Sequence, residues 1–201
     1  MAALDAELWN PVSRTRAVFT MPAKEGQGRL LEVDWFVAPG ERLPSGKHVH
    51  EGPQGFIGER FTVFAGQCTM VVGEKRIDAA TGDVVEVPVN TTHVHPWNTG
   101  ASELHVRQSI TPDKPNLALT SGVEKFFESL VGFSQTGKAD RDGNISSILQ
   151  QALTINTFLM PWTYPAGIPA LVRTPAFAVM AALARLTGLK PYCAPDWTLR
   201  G

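Results

Sequence analysis

Between about residues 14 and 112, short runs rich in β-branched and aromatic residues are punctuated by Gly, Pro and Asn, and this pattern decides most of what the chain can become. In the run Arg29 to Val37, Leu31, Val33, Trp35 and Val37 hold one parity while Glu32 and Asp34 hold the other. A strand sends alternate side chains to opposite faces, so the run reads as a strand with one face buried. Further strands are expected at Arg60–Val72, Lys75–Ala79, Asp83–Val87, Thr92–Trp97 and Glu103–Ile110, separated by turns such as Val72-Gly73-Glu74 and Thr81-Gly82-Asp83. Six or so short strands at regular spacing point to a sandwich, jelly roll or barrel.

After Pro115 the period changes. Val123, Phe126, Phe127, Leu130 and Val131 follow an i, i+3, i+4 pattern, which predicts a helix over Ser121–Val131 with Ser121 as N-cap and Glu124 three residues on. Asn144–Leu159 and Pro175–Leu186 are two more expected helices, set apart by the Pro- and Gly-rich stretch Pro161–Pro169. The chain therefore divides into a β domain, residues 1–115, and a helical extension, residues 116–201. The extension is expected to pack on the barrel or on a dimer partner.

Chemistry enters through the histidines. A metal site needs imidazoles or carboxylates delivered to one point, and ligands two residues apart on a strand share a face. His48 and His50 meet that condition. Glu59 opens the next strand, with Phe61, Val63 and Ala65 at the same parity, and His93 lies on a separate strand beyond Pro88. An antiparallel barrel can bring these together.

These residues carry a family resemblance. Pro39-Gly40 through His48-Val49-His50, continued by Glu59 and Gly66, resembles the first cupin motif, and Gly82 through Pro88 and His93, closed by Asn98, resembles the second. The resemblance covers about residues 30 to 110. It implies a double-stranded β-helix, the cupin jelly-roll barrel, here followed by an α-helical C-terminal extension. It also implies one divalent transition metal ion (Fe, Mn, Ni, Cu or Zn) on the positions of His48, His50, Glu59 and His93. The sequence departs from the pattern in carrying eight residues, Glu51 to Gly58, between His50 and Glu59. Gln54 falls at the family's ordinary spacing, so either Glu59, which a divalent ion favours, or Gln54 completes the set, with Gln54 otherwise a pocket donor. The extra loop is expected to shape the pocket as a lid. Asn90 replaces a usual Gly, a position that tolerates the left-handed backbone.

Other residues have two readings each. His95 shares parity with His93 and is either a proton shuttle beside the metal or a solvent-facing rim residue near Pro96. Arg107, on one face with Glu103 and His105, either binds an anionic substrate group or belongs to a charged outer surface. Trp97, Phe61 and Trp35 either line a pocket or fill the core.

Charge narrows the partners. Lys and Arg total 18 against 19 Asp and Glu, with no run of like charge, so a small-molecule substrate is expected and neither nucleic acid nor membrane is. Cys68 and Cys193 match no zinc or redox spacing and read as free thiols. The opening residues, with Asp5 and Glu7, show no export signal, so a cytoplasmic protein is expected. An unclosed sheet edge makes a homodimer the expected assembly, unless the helical extension covers that edge.

The leading functional expectation is a metal-dependent enzyme acting on a small organic molecule by dioxygenase-type oxidation, with Glu59 and His95 as catalytic groups and Gln54, Phe61, Trp97 and Arg107 around the substrate. Metal-assisted isomerase, cyclase or lyase chemistry is the alternative, and a non-catalytic binding cupin the third.

Overall fold

Alternating runs become strands because the pleat sorts one parity inward, and the structure turns nearly every such run into sheet. The computed structural model describes residues 2–44, 46–51 and 57–200. In chain order they form β1 (Glu7–Asn10), β2 (Thr15–Met21), β3 (Leu31–Val37), β4 (His48–His50), β5 (Ile57–Ala65), β6 (Gln67–Val72) and β7 (Lys75–Ala80). There follow β8 (Val84–Val87), β9 (His93–Asn98), β10 (Leu104–Pro112), α1 (Leu117–Gln135), α2 (Ile148–Phe158), β11 (Thr163–Pro165) and α3 (Ala170–Leu186).

The strands make two antiparallel sheets. One has six strands in the order β1-β2-β3-β10-β5-β8, the other five in the order β11-β4-β9-β6-β7. Their inner faces meet in the core, where Val33, Trp35, Phe61, Val63, Val106 and Ile110 are buried. Burying a side chain of this kind contributes about 1.5–3 kcal/mol. The register sets Val106 of β10 beside Trp35 of β3 and Val63 of β5, so three strands share one apolar layer. The fold is thus mainly β, a double-sheet barrel with its helices following the strands.

Local chemistry explains where the elements stop. The strand expected over Arg60–Val72 is two strands, because Gly66 at φ 87° turns the chain between β5 and β6. A Cβ there would sit 3.0 Å from the Glu103 carbonyl oxygen, so only glycine fits without a shift. Asn90 adopts φ 58°, the left-handed conformation expected of it.

α1 and α3 are longer than their periodicity suggests, whereas α2 is shorter, starting at Ile148 rather than Asn144. Ser121 is not the cap of α1. Asn116 is, its side-chain oxygen accepting from Leu119 N–H at 3.0 Å, which starts the helix four residues earlier. Pro175 lies inside α3 rather than at its start; its ring fixes a φ that suits a helix and removes one donor. α1 packs on β1 and β10, and the Phe127 ring meets Trp35 edge-on at 5.3 Å. α1 and α2 come close where Gly122 faces the Phe158 carbonyl, and α2 packs on α3.

The stretch 161–169, expected as a mere separator, contains β11. It pairs antiparallel with β4, setting Thr163 beside His50 and Pro165 beside His48. Backbone bonds continue the ladder on both sides, Glu51 N–H to Trp162 O and Ala166 N–H to Lys47 O. The extension thereby covers the β4 edge, which an isolated barrel would leave open. No helix among the described residues is long and apolar enough to cross a membrane.

Candidate metal centre

The four residues singled out as ligands come from both sheets. His48 and His50 lie on β4 and His93 on β9, with His48 opposite His93 in the register, while Glu59 reaches across from β5 of the facing sheet. Each offers one ligand atom, and these atoms all lie within 4.8 Å of one another. The His48 and His93 ring centroids are 4.1 Å apart, and those of His48 and His50 4.9 Å.

Each imidazole is held from behind. His48 Nδ1 lies 2.8 Å from the Gly46 carbonyl, and His93 Nδ1 3.2 Å from that of Thr91. A carbonyl only accepts, so both Nδ1 atoms carry the proton and both Nε2 lone pairs face the centre. His50 Nδ1 rests 2.9 Å from Thr163 Oγ1, a hydroxyl supplied by β11. Anchoring the far ring nitrogen is how proteins fix the tautomer and direction of a metal-binding histidine.

The carboxylate is held as firmly. Gln108 Nε2 donates to Glu59 Oε1, and Gln108 Oε1 accepts from Trp35 Nε1 at 2.8 Å, which fixes the amide's orientation. Glu59 Oε2 lies 3.1 Å from His50 Nε2 and 2.6 Å from His93 Nε2. His93 is fully buried, yet its Nε2 makes no hydrogen bond among the described residues, because the contact with Glu59 lacks the geometry for one. An orphaned nitrogen costs about 1–3 kcal/mol. A cation between the Nε2 atoms and Oε2 would satisfy it, so the residues present fit a metal ion. Three imidazoles and a carboxylate suit a borderline divalent transition ion.

Electrostatics prepares the same state. Burial pulls the His48 imidazole well below its usual pKa, and the neighbouring rings of His93, His95 and His50 add to this. His95 is lowered by burial too, despite Glu59 beside it. For His93 burial also works downward, but the adjoining Glu59 carboxylate outweighs it and the pKa is raised. Burial alone would raise Glu59; His93, His95 and His50 around it hold it well below the carboxylate range instead. His48 and His95 are thus neutral, and Glu59 ionised, at neutral pH.

A cavity of about 150 Å³ opens from the cluster, touching His48, His50, Glu59, His95 and Gln108. Its far wall belongs to the helical extension: Phe126, Phe127 and Leu130 of α1, and Ile155 of α2. His95 faces this cavity rather than solvent, 6 % exposed, with Nε2 3.3 Å from Glu59 Oε1.

The other residues named from the sequence lie elsewhere. Gln54 lies outside the described residues, as does most of the loop expected as a lid. Phe61 is buried behind the cluster, its ring 5.3 Å from that of His95, and does not line the cavity. Trp35 is likewise core. Trp97 does not follow His93 and His95 inward: opposite it the register between β6 and β9 shifts between Thr69 and Val71, and burial passes to Pro96 and Asn98. Arg76 sits over its ring at 5.8 Å instead. Arg107 points to the outer face, its Nε 2.6 Å from Asp34 Oδ1, with His105 on the same aspartate at 3.1 Å. That pairing, after burial has been overcome, lowers the Asp34 pKa.

Two residues of the site went unmarked in the sequence. Gln108 carried a readable signal, a polar side chain at the inward parity of β10 between Val106 and Ile110. Thr163 carried none.

No protein-family model matches the chain, nor does any curated protein sequence. Among solved structures it resembles cupin-type proteins. A predicted oxalate decarboxylase from Thermotoga maritima is 20% identical, with a TM-score of 0.43 over 49% of this chain and 80% of that one. The Cupin_2 domain of an XRE-family transcriptional regulator from Enterobacter cloacae is 17% identical, TM-score 0.42, over 50% of this chain and 98% of that one. A cupin-superfamily sugar phosphate isomerase from Silicibacter pomeroyi is 16% identical, TM-score 0.40, over 48% of this chain and 59% of that one.

Proposed function

We propose that this chain is a divalent-metal enzyme acting on a small organic molecule held beside the histidine cluster, and that its reaction is an oxidation by dioxygen. The observation that carries the reading is the convergence of three imidazoles and one carboxylate, of which His48, His50 and Glu59 line a largely apolar cavity. A transition ion held by His48, His50, Glu59 and His93 supplies Lewis acidity and, where the metal is redox-active, electrons for dioxygen.

The chain's own residues do the rest. The wall of Phe126, Phe127, Leu130 and Ile155 excludes water and favours apolar dioxygen over polar solutes. His95 is neutral and faces the cavity, so it can take a proton from a substrate hydroxyl or enol. Gln108, oriented by Trp35, keeps Glu59 in place while charge moves beside it. The His95–Glu59 contact also suits proton transfer alone, which supports isomerase, cyclase or lyase chemistry as the second reading.

Elemental analysis of purified protein for Mn, Fe, Ni, Cu and Zn, followed by oxygen uptake with small phenols and diketones, tests this. A near-stoichiometric metal with metal-dependent uptake is the expected result. Metal-dependent turnover without oxygen moves the reading to isomerase or lyase. No bound metal, and no activity gained on adding any of the five, overturns the metalloenzyme.

A further inference from the structure

We infer that the cavity selects a neutral, mostly apolar molecule of about one ring, whose hydrogen-bonding group is met by the side-chain amides of Asn144 and Gln151, and that it rejects sugar phosphates and other multiply charged metabolites. The inference rests on the cavity being the substrate site of the function proposed above, and adds the class of substrate.

Three observations carry it. The first is size: an apolar cavity of roughly 150 Å³ accommodates a benzene-sized ligand, and this one has about that volume. The second is charge. Histidines aside, Lys47 is the one cationic side chain among the described lining residues, and it is exposed. Arg107 is turned to the outer face and occupied by Asp34. A divalent ion on the cluster, offset by Glu59, would leave about one net positive charge for a phosphate dianion, so the second charge would leave water uncompensated, at a cost of several kcal/mol.

The third is a pair of amides. Asn144, on the segment before α2, and Gln151, in the first turns of α2, both line the cavity. Neither side-chain amide hydrogen-bonds to another described residue. Gln151 shares its helix face with Ile155 and Leu159, also in the lining, so the amide belongs to the surface that faces the ligand. Two neutral groups that both donate and accept match a hydroxyl, carbonyl or carboxamide on an otherwise apolar body.

The test is a calorimetric binding series with 4-hydroxybenzamide, phenol and glucose 6-phosphate. It is run on metal-stripped and on Zn-loaded full-length protein, wild type and Asn144→Ala/Gln151→Ala. Both positions are half-exposed, so the double variant keeps the core intact. The expected result is 4-hydroxybenzamide binding about five- to tenfold tighter than phenol, as one or two neutral hydrogen bonds allow. That gap should close in the double variant, and glucose 6-phosphate should not bind measurably. Glucose 6-phosphate binding as tightly as the aromatic amide, a gap that persists in the double variant, or no aromatic binding at all would each overturn the inference. If the protein takes up no metal yet shows the gap when stripped, the function proposed above fails and this inference stands. Metal uptake with a preference for the sugar phosphate gives the reverse.

Discussion

Replacing Thr163 by Val should weaken metal binding by one to two orders of magnitude while leaving the fold intact. Val has the shape of Thr and suits a strand, so the pairing of β11 with β4 survives. What disappears is the oxygen 2.9 Å from His50 Nδ1, in a place where His50 is 8 % and Thr163 5 % exposed. With metal on Nε2, the proton must sit on Nδ1, and a buried donor without a partner costs about 1–3 kcal/mol. In the metal-free protein the ring is free to shift its proton to Nε2 and donate to Glu59, so most of the penalty falls on the bound state. At about 1.4 kcal/mol per decade this is a five- to 150-fold loss, in line with the 10- to 100-fold effects of such outer partners. Competition against a chelating dye with Zn reads it directly. Thr163→Ser, which keeps the hydroxyl, should bind within about threefold of wild type. Equal affinities for Thr163→Val and wild type would refute the reasoning. So would Thr163→Ser as weak as Thr163→Val, which would point to packing rather than the hydrogen bond.

Glu59→Gln keeps the volume and removes the charge, so it should lower metal affinity by at least the roughly 100-fold seen when an outer partner is lost. Elemental analysis after dialysis reads that. In the metal-free protein, His48 and His95 have depressed folded-state values, so the unfolded chain binds more protons below about pH 6.5 and stability falls with acidification. His93 is raised and opposes them, contributing stability at low pH that is lost as pH rises through its folded value. That change lies above about pH 6.5, so below it the two depressed histidines act alone and stability falls by up to about 2.7 kcal/mol per pH unit. Glu59, depressed, adds stability above about pH 4.5 that is lost as pH falls through its folded value. Urea titrations with chelator at pH 6.5, 5.5 and 5 check this, and stability that holds or rises across that range contradicts it. Gly122→Ala would ordinarily stabilise a helix by about 1 kcal/mol. Here the new Cβ would lie 2.2 Å from Phe158 O, so a loss of about 1–3 kcal/mol is expected in the urea midpoint.

How much of this was legible in the sequence depended on whether the signal was local. The parity of Leu31, Val33, Trp35 and Val37 is a property of seven consecutive residues, and β3 follows from it. The His48–His50 spacing is equally local. Trp97 shows the limit: alternation carried past His95 would send it inward, but a register shift against a strand over twenty residues earlier reverses the parity. β11 is three residues, Thr163, Tyr164 and Pro165, too few to show alternation, and its partner strand is far away in the chain. The cap of α1 was missed for the opposite reason. Ser121 with Glu124 makes a plausible local start, but burial of Leu119 and Thr120 favours extending the helix back to Asn116. The tail wall of the cavity could not be read at all, because docking of α1 on the barrel leaves no mark in either segment alone.

The bond between His50 and Thr163 joins residues 113 apart in the chain. A ribosome making this protein from its N-terminus releases all four cluster residues long before β11 leaves the exit tunnel. During that interval the nascent chain holds the donors without the hydroxyl that aims His50. A product ending early, after the barrel but before residue 163, would carry the complete histidine motif and still hold metal poorly. Full-strength binding thus becomes a report that translation passed Thr163.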